Sequence, residues 1–197
     1  MSVTRGVTPG RYEQIILAGG AAVRLAGRDK PALVVGGRSL LEAVIAAGAG
    51  AERVIVVGPP RDGPATTAVL FVSEDPPGAG PVPALRRGLG EVRAPWIALL
   101  AADLPFLRPA HVAALLTAAR EQGTGAVLAD DMERPQWLAG AWRTEAVRSA
   151  LDAYQGSSLR GVLGPLRPAL TRAPGEPPPW LDCDTPEDLA WARGLVP

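Results

Sequence analysis

No sign of charge predominates in this chain. Lys plus Arg and Asp plus Glu number 20 each, so there is no net field to draw nucleic acid or an anionic membrane surface, and any phosphate affinity has to be local. Cysteine is nearly absent. The single Cys183 excludes an internal disulfide framework and a multi-cysteine metal cage, and it fits a reducing compartment, so the cytoplasm is the expected location. Residues 1–13 hold no apolar core of signal-peptide length, and no stretch approaches the roughly eighteen uninterrupted apolar residues of a membrane span. The expectation is therefore a protein with no nucleic-acid partner and no membrane. Solenoid-period repeats and like-charge blocks are missing too. Two phosphate-loop signatures are likewise absent: no Gly-Lys-Ser/Thr ending follows the first glycines, and Gly78-Ala79-Gly80 is only a fragment of Gly-x-Gly-x-x-Gly.

What is present is an alternation of short apolar runs with longer amphipathic segments over 197 residues. That length suits one domain with a real core. The alternation is the pattern of helices covering both faces of a mostly parallel sheet, so the expected class is a single-domain, three-layer α/β/α fold with a Rossmann-like sheet. Strands are expected at residues 14–17, 53–57, 69–72, 96–101, 126–129 and 138–142, with a further short one near Leu181. Helices are expected from the Ser39 cap to Ala47, over residues 81–90, from Pro109 through 111–121, over 144–151, and from Pro186 through 187–193. Pro/Gly clusters at 58–64, 76–83 and 174–179 read as loops, because composition does not change across them. One domain is expected over 1–197, with 1–11 a disordered N-terminal extension.

The first strand runs directly into Leu17-Ala18-Gly19-Gly20, followed by Arg24, Arg28, Asp29 and Lys30. Small residues at a strand's carboxyl end let backbone N–H groups approach an anion, and the cations supply charge where a triphosphate would lie. A plain glycine turn is the bland alternative for Gly19-Gly20 alone; Arg24 and Lys30 tilt the reading to phosphate. The run resembles Leu-Ala-Gly-Gly-x-x-x-Arg-Met-Gly-x-x-Asp-Lys of the molybdenum-cofactor nucleotidyltransferase family, above all its guanylyltransferases. Leu25 and Ala26 stand where that family has Met and Gly.

A second apolar strand ends in Asp103-Leu104-Pro105-Phe106-Leu107. An aspartate at a strand's carboxyl end can hold Mg²⁺ against phosphates, or it can cap the strand in an Asx turn. Here too the chain resembles the family, whose Asp-Met-Pro-Phe-Leu aspartate binds the catalytic metal; the resemblance gives that role to Asp103. Leu181-Asp182-Cys183-Asp184-Thr185-Pro186 places two more carboxylates on alternate positions, hence on one side if the segment is extended. Either could complete a metal shell, and Asp184 or Thr185 could equally cap the next helix. The stretch is similar to the family's Asn-x-Asn-Thr-Pro-Glu, in the Asp-x-Asp-Thr-Pro form common among related cytidylyltransferases.

The resemblance extends to nearly the whole chain and implies the rest. It implies a fold of the nucleotide-diphospho-sugar transferase type, Mg²⁺ as cofactor, and GMP transfer from GTP to the phosphate of molybdopterin or molybdenum cofactor, with pyrophosphate released. A molybdoenzyme or cofactor-handling protein would be a further partner. Leu17, Ala18, Gly19, Gly20, Arg24, Lys30, Asp75, Gly80 and Asp103 would bind nucleotide. Of these, Arg24, Lys30 and Asp103 would be catalytic; Asp103, Asp184 and Asp182 would hold metal, and Gln136 or Trp137 would meet the acceptor. Two other readings stay open: a cytidylyltransferase or sugar-phosphate nucleotidyltransferase, and an inactive nucleotide-binding assembly factor. His111 is expected to pack or sit at the surface, and Cys183 to be a small buried residue.

Overall fold

The computed structural model describes residues 10–19, 29–61, 69–173 and 175–195. Gly20, Arg24 and Arg28 lie outside these residues, as does most of the expected N-terminal extension. Within that extension, Gly10 accepts a hydrogen bond from the Arg120 side chain and Arg11 pairs with Glu52.

The strands are β1 (Tyr12–Leu17), β2 (Val34–Val35), β3 (Arg38–Ser39), β4 (Val54–Val57), β5 (Val69–Val72), β6 (Trp96–Ala101), β7 (Gly125–Ala129), β8 (Pro135–Arg143) and β9 (Ala169–Thr171). The helices are α1 (Leu40–Ala47), α2 (Pro81–Gly90), α3 (Pro109–Gln122), α4 (Thr144–Ala153), α5 (Leu159–Leu163) and α6 (Pro186–Gly194). Seven strands form one sheet in the order β5-β4-β1-β6-β8-β7-β9, while β2 and β3 make a separate small hairpin. Strands β5, β4, β1 and β6 run parallel; β8 is antiparallel to both β6 and β7, and β9 pairs parallel with β7.

Alternation along β1 explains the layers. Ile16 faces one core with α1 and α3 residues such as Val44 and Leu115. Ile15 and Leu17 face the other with Leu85 of α2, Val147 of α4 and Val162 of α5. Both faces of the central strands are thus covered, which is why they read as unbroken apolar runs. Helix starts follow local chemistry. Ser39 forms a capping box with Glu42 at α1, and Thr185 does the same with Asp188 at α6. Pro81 and Pro109 occupy first turns, where a missing N–H costs nothing.

The structure differs from the sequence reading at several places. Strand β8 is longer than expected, and α5, β9 and the β2/β3 hairpin add elements too short to show periodicity. The strand expected near Leu181 does not form. The Leu181 N–H is taken by Pro178 O at 3.2 Å, closing a turn, and residues 181–184 then lead straight to the Thr185 cap with no ladder partner. No helix among the described residues is long and apolar enough to cross a membrane.

Candidate active site

The chain leaves β1 towards β4 and β5 on one side, then returns to place β6 on the other. This reversal opens a crevice at the carboxyl ends of β1 and β6, the usual ligand position in an open α/β sheet. Backbone bonds hold the crevice floor: Ala18 N–H donates to Val57 O at 2.8 Å, and Ala102 N–H donates to Leu17 O at 3.1 Å. Gly58 has no alternative at its position, because a Cβ there would lie 2.8 Å from Ala18 O. Gly19, the last described residue at this end of the loop, is exposed at this edge.

Three segments distant in sequence deliver charge to the same place. Lys30 opens a short 3₁₀ turn, Lys30–Ala32, fixed by the buried ring of Pro31. Asp103 follows β6 directly. Asp184 is carried by the coil before α6, which is anchored by the fully buried Cys183 in a small core with Val35, Leu40, Phe106 and Leu189. The Lys30 ammonium donates hydrogen bonds both to Asp103 Oδ2 and to Asp184 Oδ1, the latter at 2.6 Å. Burial opposes the Lys30 charge, but the Asp103 and Asp184 carboxylates outweigh it and lift the ammonium above its ordinary value. It stays protonated. The other Asp103 oxygen, Oδ1, is buried without a hydrogen-bond partner.

Asp182 reaches solvent and makes no bond to Lys30, yet it belongs to the same electrostatic cluster. Loss of surrounding water, then the charges of Asp184 and Asp103, raise its carboxyl above the ordinary range. The choice left open for the cap is also resolved: Thr185 Oγ1 accepts from Asp188 N–H at 3.1 Å, so Thr185 caps α6 and Asp184 turns to Lys30.

Two residues that sequence patterns did not single out frame the loop. Arg61 donates to both carboxylate oxygens of Asp29, at 2.8 and 2.7 Å, and to Ala18 O at 3.4 Å. It therefore ties residue 18 to residue 29, the two ends of the Gly-rich loop, and it holds the Asp29 carboxyl below its ordinary value. A single arginine among Pro and Gly in the loop after β4 carries no periodic signal. Glu74 lies against Gly19: a Cβ built on Gly19 would be 3.4 Å from Glu74 Oε1. That oxygen accepts from Gly78 N–H at 2.7 Å, while Oε2 is buried without a partner. Asp75 is exposed beside it, and Gly80 is the N-cap of α2 with φ 107.

The expected acceptor residues lie at the same sheet edge, where β8 begins. Gln136 Nε2 donates to Asp130 Oδ2 at 3.3 Å, which engages it in the hairpin turn before β8. Trp137 stacks on the buried Trp142 with ring centroids 6.5 Å apart. His111 Nδ1 accepts from Arg108 N–H at the start of α3. Burial pushes the Cys183 thiol up to about 11, which leaves it unreactive at neutral pH.

No group of three His, Cys, Asp or Glu among the described residues encloses a metal position on its own. That does not disfavour Mg²⁺, which keeps several waters and takes only one or two protein carboxylates beside substrate phosphates. The unpartnered Asp103 Oδ1 and the excess of carboxylate over ammonium fit such a cation.

An open α/β sheet with a cation-and-carboxylate cluster at its switch point defines a class, and comparison with known proteins narrows it. Residues 14–175 match the model of the MobA-like NTP transferase domain, and the chain belongs to that family. It is 33% identical over 208 residues to a molybdenum cofactor guanylyltransferase of Bradyrhizobium sp. (strain ORS 278), covering 99% of this chain and 96% of that one. A second protein of that name, from Rhodopseudomonas palustris (strain HaA2), is 34% identical over 195 residues, covering 92% and 91%. The crystal structure of molybdopterin-guanine dinucleotide biosynthesis protein A from Archaeoglobus fulgidus superposes with a TM-score of 0.71 at 18% identity, covering 92% of this chain and 97% of that one, and so shares its fold. The chain is a nucleotidyltransferase.

Proposed function

We propose that this enzyme transfers GMP from GTP to the terminal phosphate of molybdopterin or molybdenum cofactor. A phosphate oxygen of the acceptor attacks the α-phosphorus in line, the bond from that phosphorus to the bridging oxygen breaks, and pyrophosphate leaves with the bonding pair. No covalent enzyme intermediate is needed. The observation that carries the reading is the meeting of Lys30, Asp103 and Asp184 beside the loop that begins at Gly19. The names of the two full-length relatives supply the nucleotide and the acceptor.

Each residue then has a defined task. Backbone N–H groups from Gly19 onward receive phosphate oxygens, and Lys30 offsets charge that develops on the leaving pyrophosphate. Arg24 would add to this from within the loop. Asp103 and Asp184, with Asp182 nearby, would hold Mg²⁺, which supplies charge neutralisation at the α-phosphate. Asp75 and Gly80 border the nucleoside side of the crevice, and Gln136 and Trp137 border the acceptor side. Catalysis is then by positioning and electrostatics. A cytoplasmic setting, with a molybdoenzyme or cofactor-handling protein receiving the product, completes the proposal.

Pyrophosphate release measured with each NTP, with and without molybdopterin, tests it. Release with GTP that depends on molybdopterin is the expected result. Release with CTP instead would reassign the base, and release with no NTP would leave a binding module.

A further inference from the structure

We infer that the Lys30 ammonium is a built-in stand-in for the divalent cation, holding the carboxylate site closed until nucleotide phosphate draws it away. This rests on the proposed function for the identity of the metal-binding carboxylates, and it adds an order of events that the proposal does not contain. The ammonium donates to Asp103 and to Asp184 at once, bridging two groups that lie 73 and 154 residues further along the chain. A small cation placed between the same two oxygens would meet the nitrogen. The Lys30 side chain is only 17% exposed, so the ammonium is seated in the site and is not a solvated counter-ion above it.

A divalent ion on the same two oxygens would lie against the ammonium, and their mutual repulsion in a partly buried site weakens the binding of both. Nucleotide phosphate resolves the competition. Its oxygens offer Lys30 a second set of acceptors, and the lysine stem pivots from a backbone fixed by the buried Pro31. Lys30 then moves from carboxylate to phosphate, and the carboxylates become free for metal. Asp103 Oδ1, which has no partner while the lysine is in place, gains one in the exchange. Metal and nucleotide accordingly bind together, and the nucleotide-free enzyme resists loading by metal alone.

The test titrates Mn²⁺ alone, followed by electron paramagnetic resonance, onto the nucleotide-free full chain and its Lys30→Met and Lys30→Arg variants. The native protein is expected to bind Mn²⁺ weakly. Lys30→Met should bind one ion on the order of tenfold or more tightly, Lys30→Arg should stay with the native protein, and adding Asp103→Asn to Lys30→Met should abolish the gain. The gain should persist at about 1 M salt, where a merely long-range charge effect is screened within about 3 Å. Equal affinity in native and Lys30→Met proteins, a gain that vanishes in salt, or a gain that survives Asp103→Asn would each overturn the inference. The Mn²⁺ titration is read on nucleotide-free protein and the transfer reaction by pyrophosphate release from the native enzyme. Equal Mn²⁺ affinity in native and Lys30→Met proteins would therefore overturn the stand-in role while leaving GTP-dependent release to be judged by its own assay.

Discussion

Charge collects at both ends of β1, and the two collections differ in how completely they are satisfied. At the amino end, Glu13 is buried. It pairs with Arg53 at 3.2 Å and accepts from Arg93 N–H at 2.7 Å, while Arg53 also donates to Glu91 O. Acid and base are matched there, and the remaining donors are backbone. At the carboxyl end one ammonium serves two carboxylates, a third stands by, and Asp103 Oδ1 is unpartnered. An orphan in a buried cluster costs stability, and the Glu13 carboxylate is saturated accordingly, although the neighbouring Gln14 Oε1 is buried without a partner. A cluster that receives phosphate and metal, as proposed for the carboxyl end, would leave capacity unused. The same strand shows both solutions.

That contrast can be broken by substitution. The largest effect is expected for Asp103→Ala, which on the proposed function should lower turnover by roughly a thousandfold while leaving urea-unfolding stability nearly unchanged, because Lys30 keeps Asp184 as a partner. Stability falling as far as activity would place the residue in the structural class. Lys30→Ala should lower turnover by about a hundredfold, measured as pyrophosphate release at saturating nucleotide. Glu13→Ala should invert the pattern: about 3 kcal/mol of stability lost in urea titration, from stranding Arg53, with normal activity per folded molecule. If activity per folded molecule collapsed as well, the two ends would be coupled.

Smaller effects sharpen the comparison around the loop. Arg61→Ala releases both loop ends and should raise the KM for nucleotide by about tenfold with little change in kcat. Arg61→Lys should restore little of this, since one ammonium cannot reproduce the bidentate grip on Asp29. An unchanged KM would remove Arg61 from nucleotide positioning. The smallest effects concern pH. The Asp29 carboxyl is held below its ordinary 3.8, so the stability it contributes is present above that value and is lost as pH falls through the lowered one. The Lys30 ammonium is raised above its ordinary 10.5, so its contribution is present below that value and is lost as pH rises through the raised one. Thermal denaturation should therefore show no step from either group at neutral pH. Asp29→Asn should remove only the acid-side loss.

The frame of the fold was legible in the sequence because its central strands are buried on both faces and its helices begin at Ser39, Pro81, Pro109 and Pro186, each with a local cause. The short elements were not: α5 and β9 span too few residues for periodicity. Within the candidate site, Lys30, Asp103 and Asp184 were each marked by a motif, and the structure brings all three together. Their mutual hydrogen bonds were not legible, since contacts over 73 and 154 residues depend on sheet order. Arg61 and Glu74 stayed hidden because a lone side chain in a loop has no pattern until the neighbouring loop is placed beside it. Asp182 and Asp184 differ in their bonding to Lys30 for a physical reason. The segment is coil, so strict alternation does not apply, and only Asp184 reaches the lysine.

Where β1 gives way to the loop, the hydrogen of Gly58 faces the Ala18 carbonyl with no room for a methyl group. The junction of β1 and β4 at this edge is therefore main chain against main chain, a contact that substitution of side chains elsewhere does not reshape. On the proposed function, discrimination among nucleobases and acceptors would be written into the rim, where loops can be exchanged while this main-chain contact keeps its shape.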